Sequence, residues 1–260
     1  MRLLTAGLAL LAITAAAPFA AAQNPPTAPA TARTVVAAAK LPTVIDVPRH
    51  FRLVTVTLPP GERTSASGDN GVLYQVAGST EVSACGDAKV LNAGEGLFVA
   101  RGMSCQVKAG AAERSVFLHF RLAAAFDLDR QTEPPPAAVA ELYRTAAPIP
   151  GLRPGGYDLN LTRVTFPARM PSNAPHHRSG AALYYVISGT GANTIGNQTI
   201  SRGPGSLIYE PYGLVHQWGN PGDAPLTFLT FNIVCRPCFR ALQSRAGSRL
   251  RRLVRHAGTP

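Results

Sequence analysis

The chain has 260 residues, 25 Lys or Arg against 14 Asp or Glu, and a formal net charge of +11, yet only 15% of it is charged and 46% is hydrophobic. That balance excludes a disordered polyelectrolyte, and 24 Gly with 23 Pro exclude a helical bundle. A turn-rich, all-β globular chain remains, and its basic excess points to nucleic acid or an anionic surface only if the charge is clustered.

Residues 1–22 read as a secretory signal: Arg2, an apolar run from Leu3 to Ala17, and a small-residue end at Ala20-Ala21-Ala22. The chain is therefore expected to be secreted or periplasmic. Residues 23–40 are mainly Pro, Ala and Thr and read as a linker, so the folded part is expected to begin near Leu41. Export turns the four cysteines towards disulfides, with Cys85–Cys105 and Cys235–Cys238 the pairings favoured by proximity.

From Leu41 onwards short segments rich in Val, Leu, Tyr, Phe and Thr alternate with Gly, Asn, Asp and Pro, and the pattern occurs twice. Predicted strands of the first copy, within 41–125, are 51–58, 72–77, 89–91, 96–100, 106–108 and 115–122. Residues 126–152 form a connector with a Pro run and a short predicted helix over 137–145. The second copy, within 153–235, is predicted to hold strands at 158–166, 182–187, 198–201, 206–209, 216–218 and 226–234. Leu73-Tyr74 aligns with Leu183-Tyr184 at a shift of 110, and Gly94-Glu95-Gly96 with Gly203-Pro204-Gly205 at 109. Regular short strands of this kind make sandwiches or barrels.

Gly205, Pro211, Gly213, His216 and Asn220 then stand in a G-x5-P-x-G-x2-H-x3-N order. This resembles the second signature motif of the cupin superfamily. The resemblance implies two tandem cupin barrels (double-stranded β-helix, or jelly roll), with His216 pointing into the second. The first cupin motif offers two His one residue apart, a Glu after three or four residues, and a Gly seven beyond the Glu. Counting back from Gly189 puts the Glu position on Ala182. The His positions fall on Pro175 and His177, or on His176 and Arg178. One His and the Glu are thus absent.

His176, His177 and His216 are the candidate ligands for a divalent first-row metal (Fe, Mn, Ni or Zn). Tyr184, Tyr209 and Trp218 are the candidate contacts for a small polar guest, sugar-like or an organic acid. Trp218 shares the face of His216, whereas Tyr184 and Tyr185 split between faces. At the shift of 109, His216 falls on Val107 in the first copy, which reads as a structural partner, with His119 a satisfied core or surface residue and not a ligand. Glu210 and Asp223 sit near loops, off the motif's Glu position. Three functions follow: a metal-dependent oxygenase or isomerase, a non-catalytic ligand-binding or sensing protein, or a scaffold that forms homodimers through its jelly rolls.

Residues 236–260 carry seven arginines, from Arg236 to Arg255, and no acid. Most of the excess charge is therefore a basic C-terminal tail, which argues against nucleic acid as the main partner and permits a weak contact with an anionic surface.

Overall fold

The computed structural model describes residues 30–42 and 47–236. The signal segment, the start of the linker and the tail beyond Arg236, Cys238 included, lie outside them. Eighteen strands and one short 3-10 turn make up the described chain. In chain order the strands are β1 (Ala32–Leu41), β2 (Arg49–Leu58), β3 (Arg63–Ser67), β4 (Gly71–Ala77), β5 (Ser79–Ser83), β6 (Lys89–Asn92), β7 (Gly96–Val99), β8 (Ser104–Ala109), β9 (Ser115–Ala124) and β10 (Ala138–Arg144). The second half holds β11 (Tyr157–Phe166), β12 (His176–His177), β13 (Gly180–Ser188), β14 (Gly191–Ile195), β15 (Gln198–Arg202), β16 (Leu207–Glu210), β17 (Val215–Gly219) and β18 (Leu226–Cys235).

They form four sheets, ordered β10-β2-β9-β4-β7, β3-β8-β5-β6, β1-β11-β18-β13-β16 and β12-β17-β14-β15. Each five-stranded sheet faces a four-stranded one, giving two sandwiches, as the alternation of apolar and polar residues along the strands requires. The first sandwich is filled by Val54, Leu73, Val82, Val99, Val107 and Phe117, the second by Val164, Tyr184, Ile208, Trp218 and Phe228. A third apolar layer, including Phe51, Phe120, Leu183 and Phe231, joins the two five-stranded sheets back to back. Phe231 lies against both Phe51 and Phe120, with ring centroids 5.4 Å and 5.6 Å apart. The all-β expectation and the Cys85–Cys105 disulfide are both present.

Two expectations fail. Much of the expected linker is a strand: β1 pairs antiparallel with β11 of the second sandwich, from Ala32 opposite Thr165 to Leu41 opposite Tyr157. The expected helix over 137–145 is β10, an edge strand on β2. The helix formers Ala138, Ala140, Glu141 and Leu142 yield to pairing, because Tyr143 packs into the layer between sandwiches and Glu141 accepts a 2.7 Å bond from Arg52. Helical geometry near the connector is confined to Ala125–Asp127.

The repeat is real but its register is 111, not 110 or 109. Bulges fall between Gln75 and Ala77 in β4 and between Val186 and Ser188 in β13. Gly94 and Gly205 both adopt positive φ and both donate to the residue before the bulge, Gln75 or Val186, and Gly102 and Gly213 share a positive φ at the same offset. A one-residue slip in a strand exchanges its faces. His216 therefore corresponds to Cys105 in the disulfide, and not to Val107.

Candidate functional site

The second sandwich encloses a cavity of about 120 Å³ whose walls include His176, Arg178, Tyr184, His216, Trp218 and Asn232. The motif residues build its rim. Gly213 turns at φ +77°, a region that favours glycine, and delivers β17 so that His216 and Trp218 both point inward. Asn220 is fully buried and clamps the far end: its Nδ2 donates to the carbonyls of Pro167 and Ala224, each at 2.9 Å. Its part is structural.

At the centre lies Glu210, wholly buried at the end of β16. Its Oε1 accepts from Trp218 Nε1 at 3.0 Å, and its Oε2 stands 3.2 Å from His216 Nε2 and 3.8 Å from Arg178 Nε. Neither Oε2 nor Arg178 Nε has a hydrogen-bond partner. Arg178 is held by its other nitrogens, donating to the Tyr184 hydroxyl at 2.8 Å and to Asn232 Oδ1 at 2.6 Å. Trp218 is stacked between Tyr184 and Phe228, at centroid distances of 5.3 Å and 5.2 Å. This packing fixes the indole that orients the carboxylate.

His176 sits opposite His216 in the β12–β17 pair, with ring centroids 4.2 Å apart. Each ring places Nδ1 beside a backbone carbonyl, Ala174 at 3.1 Å and Leu214 at 3.3 Å. Because a carbonyl only accepts, Nδ1 carries the hydrogen in both, and the His216 Nε2 is turned to the Glu210 carboxylate. Burial pushes the His216 pKa below its ordinary value, opposed by the Glu210 charge and assisted by His176 and Arg178. Burial also raises the Tyr184 hydroxyl far out of the titrating range. Tyr184 is therefore a neutral donor and acceptor.

Among the residues expected here, His176, His216, Tyr184 and Trp218 come together. His177 does not: it pairs with Val215 and is exposed, since neighbours on a strand face opposite ways. Nor does Tyr209, which packs edge-on against Phe51 in the layer between sandwiches, centroids 6.0 Å apart, with its hydroxyl pushed up to about 12 by burial. Tyr185 faces that layer too.

Glu210 and Arg178 were not foreseen. Glu210 pairs with Ala182 in the β13–β16 ladder, so the methyl at the motif's Glu position leaves room for a carboxylate from the next strand. Arg178 occupies a position where the motif has His. The readable signal is a small residue where a carboxylate is expected, facing a strand that ends in Glu.

The first-row cation implied by the motif does not fit this donor set. Its second imidazole is replaced by a permanent cation aimed at the carboxylate, and among the described residues no three His, Cys, Asp or Glu side chains form a group that could hold a metal ion.

In the first sandwich the counterparts of Tyr184, Asn193, Glu210 and Trp218 are Leu73, Val82, Val99 and Val107, all in its apolar core. Gly71 stands where Ala182 does, and a Cβ there would lie 2.4 Å from the Phe120 carbonyl oxygen. His119 and Arg121 take the places of Thr230 and Asn232. His119 Nδ1 is bonded to Glu133 from the connector, and Arg121 faces Asp69. That interior is closed by its own side chains.

The fold and this inward polar pocket define a double-sheet barrel protein with a ligand-sized site in its second half. Residues 162–232, within the second sandwich, match the family model for the cupin domain. Several solved structures are similar to the chain. A salicylate 1,2-dioxygenase variant from Pseudoaminobacter salicylatoxidans is similar with a TM-score of 0.50 and 13% identity, over 74% of this chain and 72% of that one. AerE from Microcystis aeruginosa aligns at TM-score 0.49 and 14% identity, over 75% of this chain and 97% of that one. An oxalate decarboxylase variant from Bacillus subtilis aligns at 0.48 and 15%, over 74% and 76%. No curated protein matches the chain.

Proposed function

We propose that the chain is an exported two-barrel cupin whose second barrel binds a small organic anion without a metal ion, the first barrel serving as its packing partner. The observation that carries this reading is Arg178, which stands at a position where the motif has His and is braced by Tyr184 and Asn232 with donors to spare. Arg33 of β1 adds a second cation to the walls, while the carboxylate of Glu210 lies wholly buried behind them. A carboxylate guest accepts well from a guanidinium in a partly desolvated site. At about 120 Å³ the cavity suits a small head group and not a drug-sized molecule. Export is supported by the signal-like first 22 residues and by the buried disulfide.

Calorimetric titration of the purified chain with acetate, glycolate and neutral sugars tests this. Binding of the acids, absent for sugars and lost in Arg178→Leu, is expected. Near-stoichiometric iron, manganese, nickel or zinc in the purified protein, lost in His216→Ala, would overturn the metal-free reading.

A further inference from the structure

The cavity does not end at its mouth. Thr162 lines both the 120 Å³ pocket and a second, wider hollow of about 460 Å³, formed with Val35, Ala38, Lys40, Asp158 and Asn160. Register explains the continuity. Val35 lies opposite Thr162 and Ala38 opposite Asn160, while Ala37 and Ala39 turn to the layer between sandwiches. Arg33, Val35, Ala38 and Lys40 therefore share the inward side of the sheet, and the five-stranded sheet overhangs its four-stranded partner there. β1 builds the shelf.

The shelf is joined to the pocket by hydrogen bonds as well as by shape. Arg178 donates to Asn232, Asn232 Nδ2 donates to Asn160 Oδ1 at 3.0 Å, and Thr162 Oγ1 donates to the same oxygen at 3.0 Å. Beyond this polar floor Val35 is 63% exposed, an unusual place for a branched apolar side chain on a strand that lines a site.

We infer that the guest is an organic acid with an apolar body: its anionic head sits at Arg178 and its chain or ring lies on the Val35–Ala38 shelf. This rests on the small-anion reading above and extends it to a class of ligand. The charges at the head favour this occupant: Arg33 and Arg178 line the pocket, while in the hollow Lys40 stands with Asp158, whose carboxylate already pairs with Arg236 at 3.3 Å and so offers no further anion to the chain's own basic tail.

Titrating the full chain with acetate, butyrate, hexanoate and octanoate separates the two readings. Each methylene that reaches the shelf should tighten binding about fourfold. Val35→Ser, which removes the branched apolar wall without adding a charge, should flatten the series, and Arg178→Leu should weaken every member. Acetate binding that depends on Arg178 but a flat series in the native chain would overturn the shelf and leave it to another chain segment or a second copy. No acid binding at all would overturn the small-anion reading and this inference with it.

Discussion

Replacing Arg178 by leucine leaves Glu210 buried with only His216, neutral at pH 8, as a titratable neighbour. Removing one partner of a buried ion pair costs about 3–5 kcal/mol, but Arg178 is 15% exposed and its Nε stands 3.8 Å from the carboxylate, so about 2–3 kcal/mol is expected at pH 8. The loss should depend on pH. In the native chain the folded pKa of His216 lies below its unfolded value near 6.5, so its contribution is present above that value and is lost as pH falls through the folded pKa. Without Arg178, which helps to depress it, the folded pKa rises beside Glu210. Each unit of rise restores about 1.4 kcal/mol once the imidazole is protonated, and the deficit should shrink to about 1 kcal/mol at pH 5.5. The protein has one tryptophan, Trp218, bonded to Glu210, so urea unfolding followed by its fluorescence reads the second sandwich directly. A deficit equal at pH 5.5 and pH 8 would refute the assignment of Arg178 as the counter-ion of Glu210.

Cleaving the Cys85–Cys105 disulfide, which spans 20 residues, should lower stability by about 3 kcal/mol from loop entropy, seen as a fall in melting temperature with reductant that Cys85→Ser with Cys105→Ser reproduces. Glu133→Gln should destabilise by about 3 kcal/mol near pH 7, because His119 is left in a wholly buried site; in the native chain the Glu133 pKa is lowered by His119, so that stability is present above about pH 4.5 and lost as pH falls below it, as acid titration of unfolding would show. Ala182→Glu sets a second carboxylate opposite Glu210 and should cost at least about 2 kcal/mol, with an acid-shifted optimum of stability. Asp223→Ala, breaking an ion pair with Arg169 whose partners are both about 80% exposed, should leave the melting temperature unchanged.

Much of the architecture was legible because it is written in spacing. The Gly205-to-Asn220 motif and the two sets of strands follow from turn residues at regular intervals, and the Cys85–Cys105 pair from proximity in the sequence. Faces were harder to read. The sequence suggests offsets of 110 and 109, yet only 111 aligns the bulges, and the difference between 109 and 111 decides whether Val107 or Cys105 stands for His216. Edge strands were invisible for another reason: β1 and β10 bury little, so their Ala, Thr, Arg and Glu residues carry no alternation strong enough to mark a strand. Glu210 escaped because its burial depends on Ala182 across the ladder, a pairing that local sequence does not contain.

The placement of β1 has a consequence for synthesis. Its partner β11 begins at Tyr157, opposite Leu41, so ribosomal synthesis completes β2 through β10 before the two edges can meet. Closing so long a loop is slow relative to local hairpins, and the second barrel cannot gain its outer wall until its latecomer strands emerge. Until then β1 offers an unpaired ladder to any passing chain. A holdase that covers this ten-residue edge during synthesis would serve the whole protein, because the first of the described strands to be made is among the last to be used.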